Sequence, residues 1–218
     1  MRKKKQNKFS LLNKRLLNGA FVNFKIMKKH LKEDPSKVIF LDIDGVLNSD
    51  NFFTSKYHDR LLLSRGEQGI MHDPRACALL GKIKKATNCK IVMSSSWRNF
   101  YFSKRKDAKF LAKPLKKELK KNGIIIRDKI AYESDDEYTE KYLEWFSSEN
   151  PEPFKVEKLF DRGLQIDCYL KRHPEIKKFV IFDDSDVDLF LFGEHFIQTN
   201  PIVGLTEEDV KKAIGLLI

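Results

Sequence analysis

Cysteine is scarce. The 218 residues contain only Cys77, Cys89 and Cys168, an odd number without CxxC or Cys/His spacing. That argues against a disulfide framework and a structural zinc site, and fits a reducing cytosol. Long apolar runs are also missing. The apolar residues between Leu11 and Ile26 are interrupted by Lys14 and Arg15, so nothing approaches the roughly 18 uninterrupted residues of a transmembrane helix, and a secretory leader is poorly formed. Acids are absent from the first 32 residues, which hold eleven of the 42 Lys and Arg; the remaining 31 balance the 31 Asp and Glu. The formal net charge of +11 therefore belongs to residues 1–32, within an N-terminal arm taken as residues 1–34. Such an arm suits neutralisation of nucleic-acid phosphates, attachment to an anionic membrane, or solubilisation with one apolar stripe packed on the domain. It informs location rather than chemistry.

What is present supports one sizeable core. Hydrophobic residues make up 41% and aromatics 11%, enough for a single α/β domain over residues 35–218. Asp34, Pro35 and Ser36 punctuate the boundary, and Val38 to Leu41 then reads as a strand buried on both faces. Ala76, Leu79, Leu80 and Ile83 follow helical spacing and predict a helix over 74–87, with Pro74 suited to its first turn. Lys90 to Met93 reads as the next strand. Ala108, Leu111, Ala112, Leu115 and Leu119 predict a helix over 107–121, with Pro114 as a point of kinking and Asn122, Gly123 as a left-handed cap. Ile124 to Ile126 predicts a short strand, Leu164 to Arg172 a helix, Phe179 to Phe182 a strand and Phe196 to Gln198 an edge strand. Thr206 is placed to cap a last helix carrying Val210, Ala213, Ile214 and Leu217. Alternation of this kind predicts a parallel sheet with helices on both faces. Two stretches fall outside it: Asn48 to Asp73, without clear periodicity, and Glu133 to Pro153, with eight Asp or Glu against Lys141 alone.

Chemistry-bearing residues collect where the apolar runs end. Asp42 and Asp44 follow the first run. Ser94, Ser95, Ser96, Trp97 and Arg98 follow the second, and Asp183 and Asp184 the third, with Asp186 and Asp188 close behind. In open α/β sheets, ligands gather at the carboxyl ends of such strands. Each group alone also has a plain reading: acidic turns cap helices, serine runs form turns, and a tryptophan enters a core as readily as it stacks on a base. Carboxylates that meet in a buried place, however, must be protonated or neutralised by a cation.

Asp-x-Asp, then Ser, then Asp-Asp at three successive strand ends resembles the haloacid dehalogenase-like (HAD) phosphohydrolase superfamily, from Val38 to about Leu217. The resemblance implies a three-layer Rossmann-like parallel sheet. It also implies a mobile flap at Asn48 to Asp73 and a small insertion at Glu133 to Pro153 in place of a large cap domain. By the same resemblance, Asp42 is the nucleophile that forms an aspartyl-phosphate, and Asp44 the acid that protonates the leaving oxygen and then activates water. Ser94 binds a phosphate oxygen, with Ser95 the adjacent candidate. Arg162 steadies the nucleophile and the phosphoryl group, with Lys158 as the fallback. Mg²⁺ falls to Asp42, the main-chain carbonyl of Asp44 and Asp183, with Asp184 a direct or water-mediated partner. Ser95 and Arg98 are placed to contact substrate, Arg98 by holding a second phosphate or else by pairing with a helix end. Dehalogenase members lack the second acid, so Asp44 favours phosphoryl chemistry. Gly45 permits a tight bend beside the site, and Asp186 and Asp188 read as helix-start acids.

"MSSSWR", "RGLQIDCYLKRHPEIKKFVIFDD" and "TNPIVGLTEEDV" together resemble the compact HAD domains of RNA repair proteins, which implies removal of end phosphates. The stretch Arg98 to Lys121 carries ten Lys or Arg against Asp107 and Glu118. It either tracks a phosphate backbone or is a solvated helix face. Three functions stay open: a Mg²⁺-dependent phosphatase of nucleic-acid or nucleotide phosphates, the same chemistry on a small metabolite, and a nucleic-acid-binding module without turnover.

Overall fold

The computed structural model describes residues 32–65, 71–131, 162–186 and 188–218; the basic arm up to residue 31, the acidic stretch from Glu133 and Lys158 lie outside the described residues. In chain order the elements are β1 (Asp34–Leu41), α1 (Asp50–Phe53), α2 (Lys56–Arg65), α3 (Pro74–Thr87), β2 (Cys89–Met93), α4 (Arg98–Tyr101), α5 (Lys106–Lys121), β3 (Asp128–Lys129), α6 (Arg162–Arg172), β4 (Lys178–Asp183), a 3₁₀ helix (Phe190–His195), β5 (Phe196–Gln198) and α7 (Glu207–Leu217). The strands pair in the order β3-β2-β1-β4-β5, every pair parallel. The connections wind outward in both directions from β1, so the switch point lies between β1 and β4, where open α/β sheets form their ligand crevice.

Burial explains the continuous apolar run. Val38, Ile39, Phe40 and Leu41 are all fully buried. Ile39 and Leu41 pack into one core with Leu80 and Ile83 of α3, Leu115 and Leu119 of α5 and Ala213 of α7. Val38 and Phe40 face a second core built with Ile166 and Tyr169 of α6. The sheet is thus the middle of three layers. Each large side chain fully buried this way contributes about 1.5–3 kcal/mol.

Local chemistry sets the helix ends. Asp73 caps α3, its side chain accepting from the Arg75 N–H at 2.8 Å ahead of Pro74 at the first turn. The far end stops at Asn88 in the left-handed region, φ 54°. α7 opens on a capping box in which Thr206 and Asp209 satisfy one another's backbone N–H groups.

Several expectations are corrected. Asn48 to Asp73 is not aperiodic loop, since α1 and α2 occupy most of its described part. Their low amphipathicity hides them: α1 is four residues long, and the run Leu61, Leu62, Leu63 leaves Leu63 89% exposed. Pro114 sits inside an unsplit α5. The carbonyl it deprives of a partner belongs to Phe110, on an exposed part of the helix. Asn122 is not left-handed, and Gly123 alone supplies that turn, φ 77°. Ile124 to Ile126 is not a strand. Ile124 and Ile126 reach the core, but pairing begins only at Asp128 and Lys129, opposite Val92 and Met93. β1 begins at Asp34 rather than after Ser36, with a register shift between Asp34 and Val38.

Candidate active site

Strand register places the reactive residues. Leu41 lies opposite Met93 on one side and Phe182 on the other, so the next residues of three strands, Asp42, Ser94 and Asp183, leave the sheet at one level. Backbone bonds extend the alignment: Asp42 N–H donates to Phe182 O at 2.9 Å, Ser94 N–H to Leu41 O at 2.9 Å, and Thr199 N–H to Asp183 O at 2.9 Å. The three carboxylates of Asp42, Asp183 and Asp184 each offer an oxygen within 4.8 Å of the others. Asp42 is 4% exposed and Asp183 fully buried.

Among the described residues, one cation reaches this cluster. Arg162, the first residue of α6, lies 2.9 Å from Asp42 Oδ1 through Nη1, and the same nitrogen bonds Asp183 Oδ2. Burial would depress the guanidinium, but the charges of Asp42 and Asp183 hold it firmly protonated. The helix that presents it is itself anchored. The buried Asp188 carboxylate accepts from Gly163 N–H at 2.6 Å, and burial pushes it up while the N–H groups of Gly163 and Leu164 oppose the rise. Asp188 therefore caps α6 and fixes where Arg162 starts. It reads in sequence as an acid opening its own segment; its actual partner lies 25 residues upstream.

Charge is left over. Burial pushes Asp42 up to about 7, with Arg162 opposing, Asp183 adding to the rise and a hydrogen bond from Ser95 opposing it. Burial likewise raises Asp183 against the pull of Arg162 and of the Ser185 N–H. Among the described residues, two acids pushed toward protonation beside a single guanidinium, with Asp184 as a third, leave negative charge of the kind that suits a hard divalent cation. The all-oxygen donor set fits Mg²⁺.

Asp44 points elsewhere. Its carboxylate is exposed and held by two donors, Trp97 Nε1 at 3.0 Å and Asn48 Nδ2 at 2.8 Å. Asn48 also accepts from Gly45 N–H at 2.9 Å and donates to Met71 O at 3.1 Å, so it ties the Asp44 turn to the segment beyond α2. Gly45 has φ 67°, and a Cβ there would lie 2.6 Å from Asp184 Cβ; the glycine is what lets Asp184 stand against the turn. Thr199, buried just past β5, braces the same turn by donating to Gly45 O at 2.9 Å.

The serines and their neighbours take separate places. Ser95, not Ser94, hydrogen-bonds Asp42. The fully buried Ser94 hydroxyl has no hydrogen-bond partner among the described residues. Trp97 enters the core yet keeps its indole N–H on Asp44. Arg98, 4% exposed, donates to Ser94 O at 2.7 Å and to Gln165 Oε1 at 2.9 Å, pinning the serine loop to α6. Asn48 and Thr199 escape sequence reading, and Asp188 is read there only as a helix-start acid, although Thr199 occupies the strand-end position that marks Asp42, Ser94 and the acids after β4.

The family described as the HAD domain in Swiss Army Knife RNA repair proteins matches residues 38–210. No curated protein and no solved structure matches the chain.

Proposed function

Because the chain belongs to the HAD-domain family of Swiss Army Knife RNA repair proteins, we propose that it is a Mg²⁺-dependent phosphohydrolase that removes the terminal phosphate of a nucleic-acid end through a phosphorylated Asp42. The observation that carries the reading is the meeting of Asp42, Asp183 and Asp184 beside Arg162.

Each step has a residue. The Asp42 carboxylate attacks phosphorus as the bond to the sugar oxygen breaks, and Asp44 gives that oxygen its proton. Asp44 then takes a proton from the water that attacks the aspartyl-phosphate, releasing phosphate and restoring Asp42. Arg162 and the Ser95 hydroxyl stabilise charge on the phosphoryl oxygens. Mg²⁺, held by Asp42, Asp183, Asp184 and the Asp44 main-chain carbonyl, would supply positive charge that offsets repulsion between carboxylate and phosphate.

Phosphate release measured with Mg²⁺ across nucleotides, 3′- and 5′-phosphorylated oligonucleotides and sugar phosphates tests the reading. Oligonucleotide ends should lead. Preference for a sugar phosphate would make it a metabolite phosphatase, and no turnover of any substrate would leave a binding module.

Two further results are expected. Trp97→Phe removes one donor from Asp44, so turnover of a poor alkyl leaving group should fall about tenfold more than that of p-nitrophenyl phosphate, whose leaving group needs little protonation. Equal losses on both would show that Trp97 does not position the acid. Stability should also couple Mg²⁺ to pH. Asp42 has a folded value, about 7, above its unfolded one, so its contribution to the metal-free protein is full below the unfolded value and is lost as pH rises through about 7. Mg²⁺ binds the charged form. Its increase in Tm should therefore be larger at about pH 8 than at about pH 5.5; a pH-independent increase would place the cation elsewhere.

A further inference from the structure

Beside the acid that protonates the leaving group, the surface changes character. Trp97, bonded to Asp44, packs edge-on against Phe100 at a centroid distance of 6.1 Å. Phe100 is 39% exposed, the first ring on this side open to solvent. The chain then enters α5 from the sheet's carboxyl edge, so the first turns of α5 are nearest the site. Lys104, Lys106, Lys109 and Lys113 are exposed there, and Phe110 stands 49% exposed among them. Within this stretch Asp107 pairs with Arg105 and Glu118 with Lys121; none of those four lysines is paired with a carboxylate among the described residues. Lys116, stacked over Tyr101 at 4.4 Å, is pushed down first by burial and then by Lys109. Solvent-facing aromatic rings interleaved with unneutralised lysines match single-stranded nucleic acid, in which every base offers a stacking face and every link a charge.

We propose that the leaving group is a single nucleic-acid strand whose terminal base stacks on Phe100 and whose backbone follows Lys109 and Lys113 along α5. This rests on the phosphohydrolase reading, since only the role of Asp44 makes this the leaving-group side. Phe100 then sets specificity. It stands where the buried Trp97 cannot, and a small phosphate ester would gain nothing from either feature. An acidic peptide would satisfy the lysines but leave Phe100 and Phe110 without a stacking partner, which favours nucleic acid.

The test compares wild type, Phe100→Ala and Lys109→Glu/Lys113→Glu on p-nitrophenyl phosphate and on a phosphorylated single strand of about ten nucleotides. The ratio of kcat/KM for the oligonucleotide to that for p-nitrophenyl phosphate should drop about tenfold in Phe100→Ala. In the charge variant it should also drop, and the salt dependence of oligonucleotide KM should flatten by about one to two phosphate contacts. Unchanged ratios in both variants overturn the inference while leaving the phosphohydrolase intact. If wild type turns over neither substrate, the phosphohydrolase reading fails, and the surface is judged by fluorescence anisotropy with the unphosphorylated strand. Binding weakened by both variants supports the strand path; binding untouched by them, or displaced equally well by polyglutamate, overturns it.

Discussion

Asp42→Asn should lower phosphate release by at least about 10³-fold while the purified protein melts no earlier than wild type without metal. The first half follows from nucleophile loss, since removing an attacking side chain from a unit that works together forfeits nearly all of its acceleration. The second half follows from burial. Asp42 is 4% exposed and pushed up to about 7 by the cost of carrying charge there, with Asp183 adding to the rise, so a neutral isostere relieves a conflict rather than opening a hole. Arg162 keeps Asp183 as a partner. Steady-state kinetics and a melting curve on the same preparation check both halves. Retained turnover would remove Asp42 from the nucleophile role, and a large drop in Tm would mean that its charge stabilises the fold.

Gly45→Ala should cost about 10²-fold in turnover and abolish the increase in Tm on adding Mg²⁺. Two effects act together. A non-glycine residue at φ 67° costs about 1–2 kcal/mol, and the added carbon would run into Asp184. Either Asp184 swings out of the group it forms with Asp42 and Asp183, or the turn from Asp42 to Asn48 shifts and carries Asp44 with it. A Mg²⁺ titration of Tm separates the outcomes. A wild-type midpoint in Gly45→Ala would show that Asp184 is dispensable for the cation.

The sequence disclosed what depends on strand ends and concealed what depends on packing between distant segments. Runs such as Val38 to Leu41 and Phe179 to Phe182 are apolar because both faces of a central parallel strand are covered, so the residues after them stand out as candidates in the sequence. Parallel register then did the rest, bringing Asp42 and Asp183 to one level. Arg162 is legible only through the family resemblance, from its place just before the helix predicted at Leu164. Asp188, which holds that helix from 25 residues downstream, carries no local signal of its partner. Ser94 and Ser95 could not be separated by position in a run of three, because which hydroxyl faces Asp42 depends on how the chain turns after β2. Arg98 has two readings in sequence, a second phosphate or a helix end. A charged side chain beside a site suggests a ligand, but here its hydrogen bonds go to a main-chain carbonyl and to Gln165. α1 and α2 were hidden because helices without a sharply divided apolar face leave no period to read.

The most direct measurement is mass spectrometry of the peptide containing Asp42 after acid quenching of turnover, with Mg²⁺ and with a chelator. One acid-stable, hydroxylamine-labile phosphoryl group on Asp42 is expected with Mg²⁺ and none with the chelator. Sustained phosphate release with Asp42 unmodified, or with the label on another residue, would contradict the role given to this cluster.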